Sequence, residues 1–314
     1  MIDRGKVYNM TTVRRLSAIA GVTLSTAMLL LTTLLAPEAR ADGFSLGGAA
    51  NYAVLYEGTG GHNLSISNVT VNGNVGVGGS GVVQFSGPGT ISGELDFSAG
   101  NTGQYHNTNG SNVGPTSVNF SVAAVTSDLS LVNSLSTSLG AEAGTSIVIN
   151  GNQTINASSG KLDAAGNEVF TVTSYTEGNG NVLTINGNGH NVVLNLAVSG
   201  NPQLGGDVIL TGGLSDGQVL WNYTGTNNLS LNNNASSFPL PDAFMGIILA
   251  PHAAISLVNA NLDGNVYGGD SSDMQIVSGT TINQAITTPE PSSLALLASG
   301  LFGLFGFARR RLNS

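Results

Sequence analysis

Leu64-Ser-Ile-Ser-Asn-Val-Thr-Val71, continued by Asn72-Gly-Asn-Val-Gly-Val-Gly-Gly79, carries the fold in miniature. Its first half alternates apolar and polar residues with a period of two, as a strand with one buried side does. Its second half supplies Asn and Gly, which take left-handed backbone conformations at corners with little strain. The combination recurs, less cleanly, at Ser146-Ile-Val-Ile149, Val169-Phe-Thr-Val172, Val182-Leu-Thr-Ile185, Val192-Val-Leu-Asn-Leu196 and Ile255-Ser-Leu257. Strands this short, separated by corners this frequent, are expected to stack as the coils of a solenoid. The segment Val69–Gly79 also echoes Ala260-Asn-Leu-Asp-Gly-Asn-Val-Tyr-Gly-Gly269, but no fixed period runs through the chain. The predicted solenoid is therefore irregular.

One segment departs from the period of two. From about 121 to 139, Val122, Val125, Leu129, Val132, Leu135 and Leu139 recur at spacings of three and four, with Ser and Thr between them. That spacing predicts an amphipathic helix, stopped by Gly140. Its Ser and β-branched content makes it a poor helix on its own, so packing must hold it. Its polar face has no Lys or Arg to hold a membrane surface. Charge is scarce throughout: the 314 residues include 44 Gly, no Cys and a formal net charge of −9. Between Asp42 and Pro289 the single basic residue is Lys161, against fifteen acids. A nucleic-acid partner, which needs a basic footprint on phosphates, is thereby excluded. So are a disulfide framework and any cysteine-based metal site.

Both ends read as addresses. Arg14 and Arg15 precede an apolar run from Leu16 to Leu35, and Ala39-Arg-Ala41 presents the small-x-small pattern cut by signal peptidase. Residues 1–41 are expected to be a signal peptide with a helical core, and the mature chain to begin at about Asp42. At the other end, Pro289-Glu290-Pro291 leads into an apolar stretch at 292–308, followed by Arg309, Arg310 and Arg311. About 17 apolar residues are just enough to span a hydrocarbon core as a helix. The arginines would stay cytoplasmic and leave the body outside. The order Pro-Glu-Pro, short membrane helix, arginine cluster over 289–314 resembles the PEP-CTERM sorting signal. That resemblance implies recognition by an exosortase and a Gram-negative bacterium that produces exopolysaccharide and biofilm.

The body carries a second resemblance. Val-Asn-Gly-Asn-Val-Gly-Val-Gly-Gly79, the helix, Val219-Leu-Trp-Asn-Tyr-Thr224, Gly246-Ile-Ile-Leu-Ala-Pro-His252 and Leu262-Asp-Gly-Asn-Val-Tyr-Gly-Gly269 follow one another in the order of the choice-of-anchor A domain. This is an adhesive module of secreted bacterial proteins, and the chain is more distantly similar to the ice-binding β-solenoid family. The resemblance implies a mainly β fold: an irregular right-handed β-solenoid (β-helix) over 42–280, with one long α-helix packed alongside. A linker would occupy 281–288.

Chemistry is sparse. Glu94 and Asp96 are two apart on an expected strand and would share a face, as an acid/base pair must. Asp270 and Asp273, in a Gly-rich loop, are the candidates for calcium, although the spacing of a regular calcium loop is absent. His62, His106, His190 and His252 show no metal-ligand spacing. Trp221 falls within a strand pattern, where a core position is expected and a sugar-stacking platform is the alternative. No residue presents itself as catalytic, and no cofactor other than calcium is implied. The expected function is non-catalytic: an exported adhesive that contacts exopolysaccharide through many uncharged Asn, Ser and Thr groups on flat faces. Ice binding is the first alternative and a polysaccharide-active β-helix enzyme the second.

Overall fold

A computed structural model describes residues 43–101, 104–178, 180–233, 243–270 and 272–285. The expected signal peptide (1–41) and sorting signal (289–314) lie outside the described residues. Among those described, no helix is long and apolar enough to cross a membrane.

The described residues form a three-sided β-solenoid whose first side is built from ten parallel strands. In chain order these are β1 (Tyr52–Tyr56), β2 (Asn74–Val77), β3 (Leu95–Ser98) and β4 (Val118–Val122). The helix α1 (Ala123–Ala141) follows. Then come β5 (Thr145–Asn150), β6 (Glu168–Thr176), β7 (Val192–Leu196), β8 (Val219–Asn222), β9 (Ile247–Ala250) and β10 (Val266–Gly268). Their order in space is β5-β6-β7-β8-β9-β10-β1-β2-β3-β4. The chain thus enters in the middle of the stack, with Val54 of β1 opposite both Val266 of β10 and Val75 of β2. It builds coils to one end, returns along α1, and builds the remaining coils until β10 closes on β1.

The length of α1 suits this return. Nineteen residues rise about 28 Å. The helix packs on β7, β8, β9, β10, β1 and β3. The seven strands from β7 to β3 span about 29 Å at the spacing of neighbouring strands. Val125, Leu129, Val132 and Leu139 are buried, with Val122 and Leu135 partly buried beside them, so the helical face read from the spacing is the one that packs. Gly140 does not stop the helix, which runs on to Ala141. A Cβ at Gly140 would meet Thr224 Cγ2 at 2.6 Å, so this glycine is a close-approach residue rather than a terminator.

The second side is a seven-stranded parallel sheet in the order Gln203–Leu204, Leu229–Leu231, Ile255–Val258, Met274–Val277, Asn63–Ser67, Val82–Ser86, Gln104–Asn107. The third side has a three-stranded sheet (Gln153–Asn156, Val182–Asn186, Asp207–Thr211). It is followed by a five-stranded one (Phe244–Met245, Asn261–Asp263, Thr281–Asn283, Thr70–Asn72, Thr90–Ile91). Val208 N–H donates to the Ala243 carbonyl between them. The final coil therefore passes the expected boundary at 280: Thr281–Asn283 pairs with strands on both flanks, and Ala285 is buried. Three residues are too few to show a period, which is why this segment reads as linker.

Inward-facing residues of all three sides form one core, including Phe85, Phe97, Phe170, Phe244 and Trp221. The corner from the second to the third side is turned by Asn259, Ser278, Asn68 and Gly87, all at positive φ, each directly following a strand of the second side. Asn and Gly are the expected occupants; Ser278 bears a left-handed conformation that costs a Cβ-bearing residue about 1 kcal/mol. The echo between 69–79 and 260–269 is positional. Asp263 and Asn72 both pair with Asn283, while Val266 and Val75 both pair with Val54. At that corner coils touch so closely that a Cβ on Gly264 would collide with the Gly246 carbonyl.

Candidate binding faces

Outward positions on the second side form a continuous row. Gln203, Ser230, Ser256, Gln275, Ser65, Gln84 and His106 stand opposite one another on seven successive strands. Inward Leu64, Ile66, Leu257 and Ile276, next to them in the chain, are buried in the core, so the alternation itself turns the polar residues outward. The row runs about 29 Å and contains no Asp, Glu, Lys or Arg. Beside it runs a second row of Val258, Val277, Ser67 and Ser86.

The third side is laddered by side-chain amides. Asn186 Nδ2 donates to Asn156 Oδ1 (3.1 Å), and Thr211 Oγ1 donates to Asn186 Oδ1 (3.1 Å). Farther along, Asn72 Nδ2 donates to Asn283 Oδ1 (2.7 Å) and Asn283 Nδ2 to Asp263 Oδ1 (2.7 Å). A carboxamide has a donor and an acceptor, so one Asn per coil satisfies the Asn of the next. Thr281, Thr70 and Thr90 form a hydroxyl row alongside.

Glu94 and Asp96 do share a face, but Asn119 separates them chemically. Its Nδ2 donates to Glu94 Oε2 (3.1 Å) and Asp96 Oδ1 (2.7 Å), and Tyr52 O–H donates to Asp96 Oδ2 (2.9 Å). Both carboxylates are thus tied into a structural network. Asp270 and Asp273 face different partners. Thr59 Oγ1 lies 2.6 Å from Asp270 Oδ1 and His252 Nδ1 is 3.7 Å from its Oδ2. Asp273 Oδ1 accepts from the Asn63 N–H (2.8 Å) and is 3.4 Å from His62 Nδ1. Among the described residues no three acidic or histidine side chains converge as a metal site. His190 Nδ1 is 2.9 Å from the Gly166 carbonyl. Trp221 is a core residue: fully buried, edge-on to Tyr175, against Phe244, and donating from Nε1 to the Met245 carbonyl (3.1 Å). Signal-cleavage residues Ala39 and Ala41, and sorting residues Pro289, Glu290, Pro291, Arg309, Arg310 and Arg311, lie outside the described residues.

The ladder that seats α1 is not evident from composition. Asn195 Nδ2 donates to the Leu139 carbonyl (2.8 Å). Asn222 Nδ2 donates to the Ser136 carbonyl (3.0 Å) and to Asn195 Oδ1 (2.9 Å), while Ser136 Oγ donates to Asn222 Oδ1 (2.6 Å). The signal was available in Val192-Val-Leu-Asn and Val219-Leu-Trp-Asn, two apolar strands each with Asn in fourth place.

Residues 30–277 match a family described as an ice-binding-like adhesive domain. The chain belongs to that family. Residues 287–311 match the PEP-CTERM protein-sorting motif, as the order of the tail implied. Among solved structures, the family member resembles an ice-binding protein of the Antarctic ascomycete Antarctomyces psychrotrophicus at TM-score 0.51 and 15% identity, over 77% of this chain and 98% of that one. It also resembles ice-binding protein 1 of Shewanella frigidimarina (TM-score 0.50, 17% identity, 79% and 99% coverage). A third is an Arctic yeast ice-binding protein (TM-score 0.50, 14% identity, 80% and 98% coverage). At these identities the likeness establishes the β-solenoid fold, and function has to be argued from the faces themselves. No protein with a curated description matches the chain. The family types indicated are adhesive and ice-binding, and none is an enzyme family.

Proposed function

We propose that this family member is a non-catalytic adhesive of the outer surface or extracellular matrix of a Gram-negative bacterium, acting on exopolysaccharide in a biofilm. In this reading signal peptidase cuts after Ala41, the 292–308 helix holds the precursor transiently in the inner membrane, and exosortase acts near Pro289-Glu290-Pro291. The observation that carries the adhesive reading is the seven-strand row from Gln203 to His106, an uncharged surface about 29 Å long. Hydroxyls and carboxamides both donate and accept, so many weak contacts to a hydroxylated polymer sum to avidity without ion pairing. Binding should then persist in high salt and in EDTA, since neither surface ions nor calcium at Asp270 or Asp273 is needed.

The test is pull-down of the host exopolysaccharide by the purified protein, with size analysis of the polymer afterwards. Retention in salt with unchanged polymer length supports the proposal; shortening of the polymer refutes it. Intact-mass analysis of protein from exosortase-bearing cells should show loss of both ends. Ice binding is the second reading, favoured by the outward row Thr281, Thr70 and Thr90 and by the ice-binding proteins that share the fold. Thermal hysteresis with no polysaccharide retention would put it first.

A further inference from the structure

The first side of the solenoid ends in two strand edges, β4 at one end and β5 at the other. One column of paired residues runs without a break between them, from Val118 of β4 through Val54 of β1 and Trp221 of β8 to Thr145 of β5. Leu95 N–H donates to the Ser117 carbonyl, so the N–H and carbonyl of Val118 point away from β3 to the open side. Neither edge strand carries a charge or a proline, the usual guards of an exposed edge. Apolar surface gathers at the same two places. Val113 and Phe120 at the β4 end, and Val148 and Leu162 at the β5 end, are each more than half exposed. The Phe120 ring stacks on that of buried Phe97, with centroids 5.6 Å apart, as the last member of a core row.

We propose that these ends bind second copies of this chain, head to tail, with β4 of one copy pairing in parallel with β5 of the next. Continued in register, Val118 meets Thr145, and Ile147, partly buried against the core, comes over Phe120. Charge agrees with this match. Because β7 occupies the far edge of β6, the strand Lys161–Leu162, which pairs with Glu168 and Val169, lies on the β5 side. Lys161, the single basic residue between Asp42 and Pro289, is exposed there, one place before the column. Glu94 is exposed one place before the column at the opposite end. Stacking sets the two in one row, two strand spacings or about 10 Å apart at Cα, which their side chains span. The contact joins unlike ends, so it repeats as a fibre along which each copy presents its uncharged faces.

The chain's own ends do not cover these edges in the processed form proposed above, and this step rests on that reading. Asn191 Nδ2, next to β7, donates to the Gly43 carbonyl, and Ala285 N–H donates to Asn265 Oδ1, next to β10. Only Asp42 precedes Gly43 in that form. Residues 286–288 extend about 10 Å, whereas β4 lies four strand spacings from β10, about 19 Å.

Cross-linking tests the stack. The chain has no cysteine, and Val118 and Thr145 are nine strand spacings apart within one copy, about 43 Å. A short bis-maleimide therefore joins the thiols of Val118→Cys and Thr145→Cys only between copies. The double variant, purified from exosortase-bearing cells, should give dimers, trimers and higher multimers. Either single variant should stay monomeric, and a mixture of the two should stop at dimers. Phe120→Lys should abolish the multimers, whereas Leu131→Lys, at an exposed leucine of α1, should leave them intact. Lys161→Glu should weaken association about fivefold at low salt in sedimentation, and adding Glu94→Lys should restore it. Dimers from one single variant alone, which head-to-head pairing would give, or multimers undiminished by Phe120→Lys, would overturn the proposal. Intact mass of the same preparation reports the loss of the two ends, so failed processing and failed stacking are read apart. A double variant that stays monomeric refutes the stack whichever mass is found.

Discussion

Strand β8 and the strand Ile255–Val258 face the same core from two sides of the solenoid, yet their sequences follow different rules. In β8 every residue is buried: Val219 and Trp221 point into the core, while Leu220 packs under α1 and Asn222 bonds to it. In Ile255–Val258 only Ile255 and Leu257 are buried, and Ser256 and Val258 face outward. Backbone and parallel pairing are alike; the cover differs. A strand beneath a helix reads as a nearly continuous apolar run, while a bare strand alternates. The single strand expected over Leu64–Val71 is two, Asn63–Ser67 and Thr70–Asn72, with the apolar phase shifting at the Asn68 corner. The clean period at Asn63–Ser67 and the blurred one at Val192–Leu196 are both informative, the second marking where α1 lies.

Substitutions at outward positions break this contrast most directly. Leu220→Ala, which opens a cavity under α1, should cost about 2–5 kcal/mol in denaturant unfolding. Leu129→Ala, from the helix side of the same contact, should fall in that range. Asn222→Ala would remove the acceptor of Ser136 Oγ and the donor to Asn195 Oδ1 and the Ser136 carbonyl, and should cost about 1–3 kcal/mol while loosening the end of α1 in hydrogen exchange.

A third expected effect is a pH dependence on the covered side. Because burial raises Glu57 from its ordinary 4.5 to about 7, the folded chain holds that proton more tightly than the unfolded one. Its contribution is fully present below about 4.5 and is lost as pH rises to about 7. Burial raises Asp128, Glu177 and Asp216 too, which adds to the same trend. Thermal melts of Glu57→Gln should therefore show a shallower fall with pH, and greater stability than the parent at mildly alkaline pH. Smallest of all, Ser256→Ala on the bare row should change stability by no more than about 0.5 kcal/mol. A loss comparable to that of Leu220→Ala would mean the second side is covered in solution.

The helix shows how far local reading reaches. All six apolar positions from Val122 to Leu139 pack or border the contact, because a spacing of three and four leaves one face to bury. Its end was misplaced at Gly140, since lack of a side chain serves equally to end a helix and to admit a neighbour. Of the site residues, Asp270 and Asp273 look like one cluster in sequence. In space each turns to its own partners, Thr59 and His252 or Asn63 and His62. Glu57 gave no sequence signal, because its burial depends on α1 closing over a strand end.

Local pattern alone determined the coil strands, the Asn and Gly corners, the packing face of α1 and the order of the sorting motif at the tail. These depend on side-chain period and on backbone preferences that act within a few residues. Only the tertiary structure decided that β1 lies between β10 and β2, that α1 spans the strands from β7 to β3, and that Asn195 and Asn222 receive its end. Parallel coils offer similar hydrogen-bonding edges to one another, so the strand pattern leaves their order open. Order is chosen by long-range closure, when the helix of fitting length buries the outward apolar residues of the first side.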